Sequence, residues 1–341
     1  MRILVIGGTG FIGSAIVRRL IESGHETGVF HRVHRGSNLP ANVQHLIGNR
    51  NRLMDQRQAL AQFAPEIVVD GIAGNQKQAR ELIDALRGIA RRLIVLSSGD
   101  VYRAAGVLAR LEPAPLEPIP LTEEARLRGV LYLHQNHPTR DQAGWVSTDY
   151  EKILVERAVM RHPDLPATIL RLPMTYGPGD NNRRFYAYLK RMDDRRPAIL
   201  LDRATAQWRG AWDYVENIAE AIVCAVENPA SAGRIYNICY RDQFTMAEMV
   251  TMLGDVAGWK GRIVISGNDC PPPSMSTQFN LEQHLFMDSV RIRRELGYRE
   301  RTGIMEALAR TAAWDRGNPP HELDAALFDY ESEDRVLRQN H

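Results

Sequence analysis

Cysteine is scarce in this chain, and the three present, Cys224, Cys239 and Cys270, are far apart. An odd, scattered set offers neither a metal-ligand spacing nor a disulfide framework, so no metal is implied and a reducing cytoplasm is the expected setting. No apolar run approaches the length needed to cross a bilayer, and the only apolar stretch near the N-terminus reads as a strand. Net charge is nearly absent too. The 43 basic and 41 acidic residues leave +2, which gives no general pull toward nucleic acid or membrane and makes small-molecule chemistry the default. Internal repeats and low-complexity tracts are missing. What remains is 341 residues, 44% hydrophobic and 25% charged, the balance of a globular protein too long for one core and therefore expected as a large domain with a smaller lobe.

The most informative stretch is MRILVIGGTGFIG at residues 1–13. The Ile3, Leu4, Val5, Ile6 run reads as a buried strand, and the amphipathic segment from Phe11 to Ile21 as a helix ending near Gly24. Between them lies Gly7-x-x-Gly10-x-x-Gly13. Gly7 permits a tight turn, Gly10 lets backbone approach a pyrophosphate, and Gly13 lets helix and sheet pack closely, so this corner is expected to hold a dinucleotide.

Apolar strands at 2–6, 27–31, 43–47, 66–70 and 92–97 alternate with helices near 11–23, 54–64 and 75–90. That rhythm predicts a Rossmann-type, doubly wound parallel α/β sheet. Residues 103–147, with Pro113, Pro115, Pro118, Pro120 and Pro138, break the rhythm as a long excursion near the site. A helix over 149–162 and a strand over 167–172 complete the dinucleotide-binding domain, 1–172. Residues 173–316 read mainly as a smaller α/β substrate lobe, some of whose elements return to the first domain, and 317–341 as a charged, loosely packed tail.

Several later stretches fall into one ordered pattern: Ser97-Ser98-Gly99-Asp100-Val101-Tyr102, Pro120-Leu-Thr-Glu-Glu, Lys152 with Glu156, Arg171-Leu-Pro-Met-Thr-Tyr176-Gly-Pro-Gly, Asp213-Tyr-Val-Glu-Asn-Ile-Ala219 and Gly233-Arg-Ile-Tyr-Asn237. Over about residues 1–316 the chain resembles the extended short-chain dehydrogenase/reductases, the NAD(P)-dependent sugar-nucleotide epimerases and dehydratases. The resemblance implies a cofactor site along Gly7, Gly10, Phe11, Ile12 and Gly13, then the ends of the second and fourth strands, with Pro173 and Tyr176 on the nicotinamide side. An acidic residue at the end of the second strand would bind the adenine ribose and repel a 2′-phosphate. Here His31, Arg32 and Arg35 stand instead, so Arg32, helped by Arg35, favours NADP with NAD as the alternative, unless both are solvated loop charges. Asn49 replaces an Asp near the adenine. Asp70-Gly71 lies along the cofactor, although Asp70 reads equally as a local turn cap.

Chemistry in the resembled family uses a Ser or Thr, a Tyr four residues before a Lys, and that Lys. Ser98 and Lys152 match, but the Tyr position is Thr148, a poor acid or base. Tyr150 lies two residues before Lys152. On a continuous helix the two would face opposite ways, but Thr148 and Glu151 read as a capping box that would leave Tyr150 in a first turn able to unwind. Otherwise Thr148 with water, or Tyr132, fills the gap. Asp100 stands where family dehydratases and decarboxylases carry a Glu, and reads either as a base beside a keto carbon or as a turn cap. Arg183, Arg184 and Arg209 are candidates for a nucleotide diphosphate, each equally readable as a surface charge, and Tyr176 is equally readable as core. The resemblance implies an oxidoreductase or epimerase acting on a sugar nucleotide or similar polyhydroxylated substrate through a keto intermediate. An NADPH-consuming ketone reductase and a non-catalytic dinucleotide-binding regulator stand as alternatives. Related proteins pair as dimers through the 75–90 and 149–162 helices, whose outer faces here carry Arg80, Arg87, Arg157 and Arg161, so a homodimer is expected only weakly.

Overall fold

The computed structural model describes residues 1–32, 39–136, 148–267 and 278–339. In chain order the first half runs β1 (Arg2–Ile6), α1 (Phe11–Glu22), β2 (Glu26–His31), β3 (Gln44–Ile47), a 3-10 segment (Arg50–Gln56), α2 (Arg57–Phe63), β4 (Ile67–Asp70), α3 (Gln76–Leu86), β5 (Arg92–Ser98), α4 (Arg103–Leu108), α5 (Leu133–Asn136), α6 (Lys152–Val159) and β6 (Ala167–Leu172). The second half runs β7 (Met174–Tyr176), α7 (Tyr186–Asp193), β8 (Ala198–Asp202), α8 (Arg203–Gln207), β9 (Trp212–Tyr214), α9 (Val215–Glu227), β10 (Ile235–Asn237), α10 (Met246–Ala257), β11 (Arg262–Ser266), α11 (Val290–Leu296), α12 (Ile304–Gly317) and α13 (Tyr330–Gln339).

Seven strands form one parallel sheet in the order β3-β2-β1-β4-β5-β6-β10. The strand order turns back between β1 and β4, which opens a crevice at their C-terminal ends. β1 shows why the sheet is covered on both faces. Its alternating side chains divide: Ile3 and Val5 pack with Ile16, Val17 and Leu20 of α1 and Ile218 and Ile222 of α9. Leu4 and Ile6 pack on the other face with Leu60 and Phe63 of α2, Leu82 and Leu86 of α3, and Val155 and Val159 of α6. Register then sets the site, because Ile6 pairs with Asp70, Asp70 with Val95, and Ser98 with Leu172, so the loops after β1, β4, β5 and β6 leave from one edge.

The second half supplies β10 to the main sheet and builds its own core from two short parallel pairs, β7 with β9 and β8 with β11, under α7, α10 and α12. Two expectations are corrected. The helix expected over 149–162 begins only at Lys152, because Glu151 is its N-cap, with its carboxylate accepting from Ile153 N at 3.0 Å. The segment after residue 317, expected to be loose, is docked. Glu333 of α13 is 1% exposed and pairs with Arg191 of α7 at 2.5 Å. Phe328 and Tyr330 give the Arg191 and Arg196 guanidinium groups aromatic faces at 5.2 and 4.7 Å, which a composition reading sees only as charge.

Candidate active site

After β1 the chain makes a turn that requires glycine. Gly7 sits at φ +89°, and a Cβ on Gly13 would lie 2.0 Å from the Gly7 carbonyl oxygen. α1 therefore starts pressed against the turn, its N-cap Gly10 offering no side chain. The first helical hydrogen bond runs from Ser14 N to Gly10 O at 2.8 Å, leaving the amides of Phe11, Ile12 and Gly13 outside the ladder. Backbone donors at a helix N-terminus suit a diphosphate. These three amides, presented at the strand-order reversal by a turn that only glycine at 7 and 13 allows, fit the pyrophosphate of a dinucleotide.

Farther along the crevice, several expected ligands are already engaged. The Asp70 carboxylate is fully buried, accepting from Ile72 N and Ala73 N at 2.7 and 2.8 Å and pairing with Arg50 at 2.7 Å. It caps the turn, and so shapes the loop beginning at Gly71. Arg50 carried no motif signal in the sequence. The His31 imidazole points to its neighbour strand, 2.8 Å from His45 Nδ1. Asn49 caps the 3-10 segment through Asn51 N at 3.0 Å. Arg32 is exposed at the end of β2, and Arg35 lies outside the described residues.

The chemistry-bearing groups meet at the end of β5. Ser98 Oγ accepts from Asp100 N at 3.2 Å, and its hydroxyl stands close enough to the Tyr150 phenol to favour the phenolate. Burial, reinforced by the Asp100 carboxylate, pushes that phenol well above its usual range. Lys152 Nζ lies 5.7 Å from the centre of the Tyr150 ring and donates to Ala73 O and Leu96 O, each at 2.7 Å. Two carbonyl bonds leave one ammonium hydrogen for a ligand. Burial lowers the Lys152 pKa, against the pull of the Asp70, Asp100 and Glu156 carboxylates. Because the helix starts at Lys152, Tyr150 stands in non-helical chain and the objection from helical spacing does not apply. Thr148 is exposed in the turn before it. Tyr132 serves through its backbone amide, which donates to Glu151 Oε2 at 2.6 Å.

One residue here had no sequence signal. His134 of α5 places Nε2 3.3 Å from Asp100 Oδ2 and stands edge-on to Tyr150 with ring centres 5.3 Å apart. A lone histidine in an irregular, proline-rich excursion shows no period or motif. Arg128 holds that excursion down, donating to the Asp100 carbonyl and pairing with Glu151 at 3.0 Å, both side chains almost fully buried.

Beneath the site, motif residues scattered in sequence form one buried network. Arg171 pairs twice with Glu156, at 3.0 and 2.7 Å, and donates to the Tyr102 hydroxyl at 2.9 Å. Tyr102 donates onward to Asn237 at 2.6 Å, and Ser97 donates to Glu156 at 2.6 Å. Burial pushes the Tyr102 phenol up to about 12, so it stays a donor. The network ties β5, α6, β6 and β10 together and fixes the base of Lys152's helix.

On the substrate side the expected arginines diverge. Arg183 is spent on Asp315 at 3.0 Å and stacks on Trp314 at 4.8 Å. Arg184 donates to Thr175 O at 3.1 Å. Arg209 is half-buried beside His284, and its side chain makes no ion pair with the described residues. Tyr176 is fully buried, hydroxyl to hydroxyl with Tyr240 at 2.9 Å and against Phe185, so it is core and does not line the crevice. Pro173, half-buried, joins β6 to β7 at the crevice edge. Among the described residues no helix is long and apolar enough to cross a membrane.

A family model described as the NAD dependent epimerase/dehydratase family matches residues 3–124 and 149–239. No curated protein matches the chain in sequence. Among solved structures, UDP-glucose 4-epimerase from Thermotoga maritima, with UDP-glucose, superposes with a TM-score of 0.67 at 18% identity, over 94% of this chain and 100% of that one. UDP-glucose 4-epimerase from Thermus thermophilus, in complex with NAD, gives 0.65 at 20% identity over 93% and 100%. The dTDP-glucose 4,6-dehydratase from Bacillus anthracis, in complex with NAD, gives 0.66 at 17% identity over 93% and 97%. At these identities the likeness is one of fold.

Proposed function

The chain belongs to the NAD-dependent epimerase/dehydratase family, and from that premise we propose that it is an NAD(P)-dependent oxidoreductase or epimerase that converts a sugar nucleotide, or a similar polyhydroxylated substrate, through a keto intermediate. The observation that carries this reading is the Tyr150 phenol gathered beside Ser98 with the Lys152 ammonium 5.7 Å from the centre of its ring. A bound nicotinamide dinucleotide would supply the hydride acceptor. Gly7, Gly10 and Gly13 would flank its pyrophosphate, and the remaining Lys152 hydrogen would meet its ribose. Ser98 orients the substrate hydroxyl, and Tyr150 exchanges the hydroxyl proton. Burial holds the phenol protonated in the free protein, and the Lys152 ammonium, with the charge that an oxidised nicotinamide would supply, would bring it into working range.

Arg32, exposed where an acidic ribose ligand would discriminate against a 2′-phosphate, supports NADP over NAD. Arg209 is the best-placed arginine for a substrate diphosphate, since Arg183 and Arg184 are engaged elsewhere. The α3 and α6 face, where Arg80, Arg157 and Arg161 line a groove of about 320 Å³, fits a self-association weakened by like charge.

The test uses purified protein with NADP or NAD and UDP-glucose or dTDP-glucose, following interconversion by NMR and cofactor reduction by absorbance. Sugar conversion without net cofactor turnover supports the epimerase form, and stoichiometric NADPH oxidation with a ketone identifies a reductase. Tyr150→Phe should lower turnover at least 100-fold while leaving dinucleotide affinity within threefold. Unchanged turnover would remove Tyr150 from the mechanism.

A further inference from the structure

The proton inventory of this site exceeds what Ser98, Tyr150 and Lys152 require. His134 and Asp100 form a second couple at the same edge, Nε2 to Oδ2 at 3.3 Å, with side chains 30% and 17% exposed. The carboxylate facing Nε2 selects the tautomer with its proton on Nε2, which leaves the Nδ1 lone pair available as a base. Asp100 Oδ1 is buried with no hydrogen-bond partner among the described residues, an acceptor that a substrate hydroxyl would satisfy. Nor is the couple a loose surface contact. Arg128 donates to the Asp100 carbonyl and pairs with Glu151, and Glu151 in turn takes the Tyr132 amide at the base of α5 and caps α6. The imidazole, edge-on to the Tyr150 ring with centres 5.3 Å apart, thus sits beside the phenol in a segment held by the buried Arg128–Glu151 pair.

We infer that His134, oriented by Asp100, is a second proton-transfer residue of the site and serves the carbon next to the one that is oxidised. The inference rests on the reading under Proposed function. A change confined to the oxidised carbon needs one acid-base group, the Tyr150 phenol. A base one ring-width away reaches the C–H of the neighbouring carbon. The substrate class is therefore a glycosyl group whose carbinol is flanked by a C–H bond. With a bound oxidised nicotinamide dinucleotide as hydride acceptor, the carbinol would lose its hydride to it and its hydroxyl proton to the Tyr150 phenolate, leaving a ketone that acidifies the adjacent C–H. Nδ1 of His134 takes that proton, and the C–H electron pair moves into the enolate. The imidazolium exchanges its proton with water and returns one to the carbon, so solvent hydrogen enters there before the ketone is reduced again.

Two measurements test this. Nitrogen-15 histidine labelling, with His134→Gln to assign the resonance, reads the tautomer without any ligand. A protonated Nε2 and bare Nδ1, with that preference lost in Asp100→Asn, are expected; a protonated Nδ1, or a tautomer indifferent to Asp100→Asn, overturns the inference. The protein is then incubated in D2O with NADP or NAD and UDP-glucose or dTDP-glucose. Deuterium should enter the carbon beside the oxidised one, and His134→Gln should lower incorporation at least 100-fold while cofactor reduction falls less than tenfold, a split that a merely structural role would not produce. Cofactor reduction by the unmodified protein with no deuterium uptake also overturns it. If neither sugar nucleotide reduces either cofactor, the failure belongs to the substrate class under Proposed function, and the tautomer measurement alone decides for His134.

Discussion

Replacing Glu333 by Ala should release the C-terminal helix from the substrate lobe. The Arg191 and Glu333 side chains are 5% and 1% exposed, with two guanidinium nitrogens on one carboxylate. Removing one member of a buried pair typically costs about 3–5 kcal/mol, because the other charge is stranded. Arg191 would keep the Ala187 and Leu327 carbonyls, at 2.8 and 2.6 Å, and the face of Phe328, which places the loss at the lower end, about 3 kcal/mol. If α13 unfolds with the lobe, that is a fall of about 6 °C in the melting midpoint, at about 2 °C per kcal/mol for a chain of this size. If it detaches alone, the detached population rises roughly 150-fold and limited proteolysis between residues 318 and 330 accelerates accordingly. The double variant R191M/E333L removes both charges and should recover more than half of the loss, because neither desolvated ion remains. A Glu333→Ala protein within 0.5 kcal/mol of the parent in urea, with unchanged proteolysis, would refute the argument that this ion pair holds the segment down.

Gly13→Ala puts a methyl group against the Gly7 carbonyl, a backbone clash that no rotamer relieves, and should weaken NADPH and NADH binding at least 100-fold in a fluorescence titration. Arg32→Ala should weaken NADPH about tenfold and NADH less than twofold, since a charged hydrogen bond to a 2′-phosphate is worth about 1.5 kcal/mol or more; equal effects on the two would remove Arg32 from cofactor choice. Asp213 is fully buried, and burial pushes its carboxyl up to about 7. The native state then binds more protons than the unfolded chain between about pH 4 and 7, so stability falls as pH rises through that window. Asp213→Asn cannot ionise, and its stability relative to the parent should grow by about 1–4 kcal/mol between pH 4.5 and pH 7.5; parallel urea profiles would show that the native carboxyl titrates normally.

Legibility in the sequence followed how local each signal was. The Gly7 to Gly13 corner, the alternation of strand and helix and the buried run of β5 are written in neighbouring residues, and they placed the sheet and the crevice. The tail was misread because its stability lies in contacts with α7, more than a hundred residues away in sequence, so its own composition shows only solvated charge. Asp70 and Tyr176 show a subtler limit. Both occupy positions beside the crevice, but position along a strand does not say which way a side chain is satisfied, and Arg50 and Tyr240 capture them from the protein side. The same applies to Arg183, whose partner Asp315 lies on α12.

The gap between Tyr150 and Lys152 shows how a single cap can decide a site. With the helix read from Thr148, two residues of separation put phenol and ammonium on opposite faces, and the site lacks its proton donor. Glu151 has three claims on its carboxylate: Ile153 N at 3.0 Å, Tyr132 N at 2.6 Å and Arg128 at 3.0 Å. All three lie at or after the first turn of α6 or in the excursion, and none is at Thr148. With the carboxylate so committed, the helix cannot begin earlier than Lys152, and the preceding peptide is pinned by Glu151 N donating to Gly74 O at 2.6 Å. Tyr150 is thereby left in non-helical chain beside Ser98, while Lys152, the first helical residue, turns inward to Ala73 O and Leu96 O. A donor two residues before the lysine can replace one four residues before it only where the helix starts between them, and here that start depends on Arg128, a residue of the excursion. Arg128→Met should therefore lower turnover far more than it lowers dinucleotide affinity, because it loosens the start of α6 and the seat of Tyr150 without touching the Gly7 to Gly13 turn. Equal losses of both would mean that Arg128 only supports the fold.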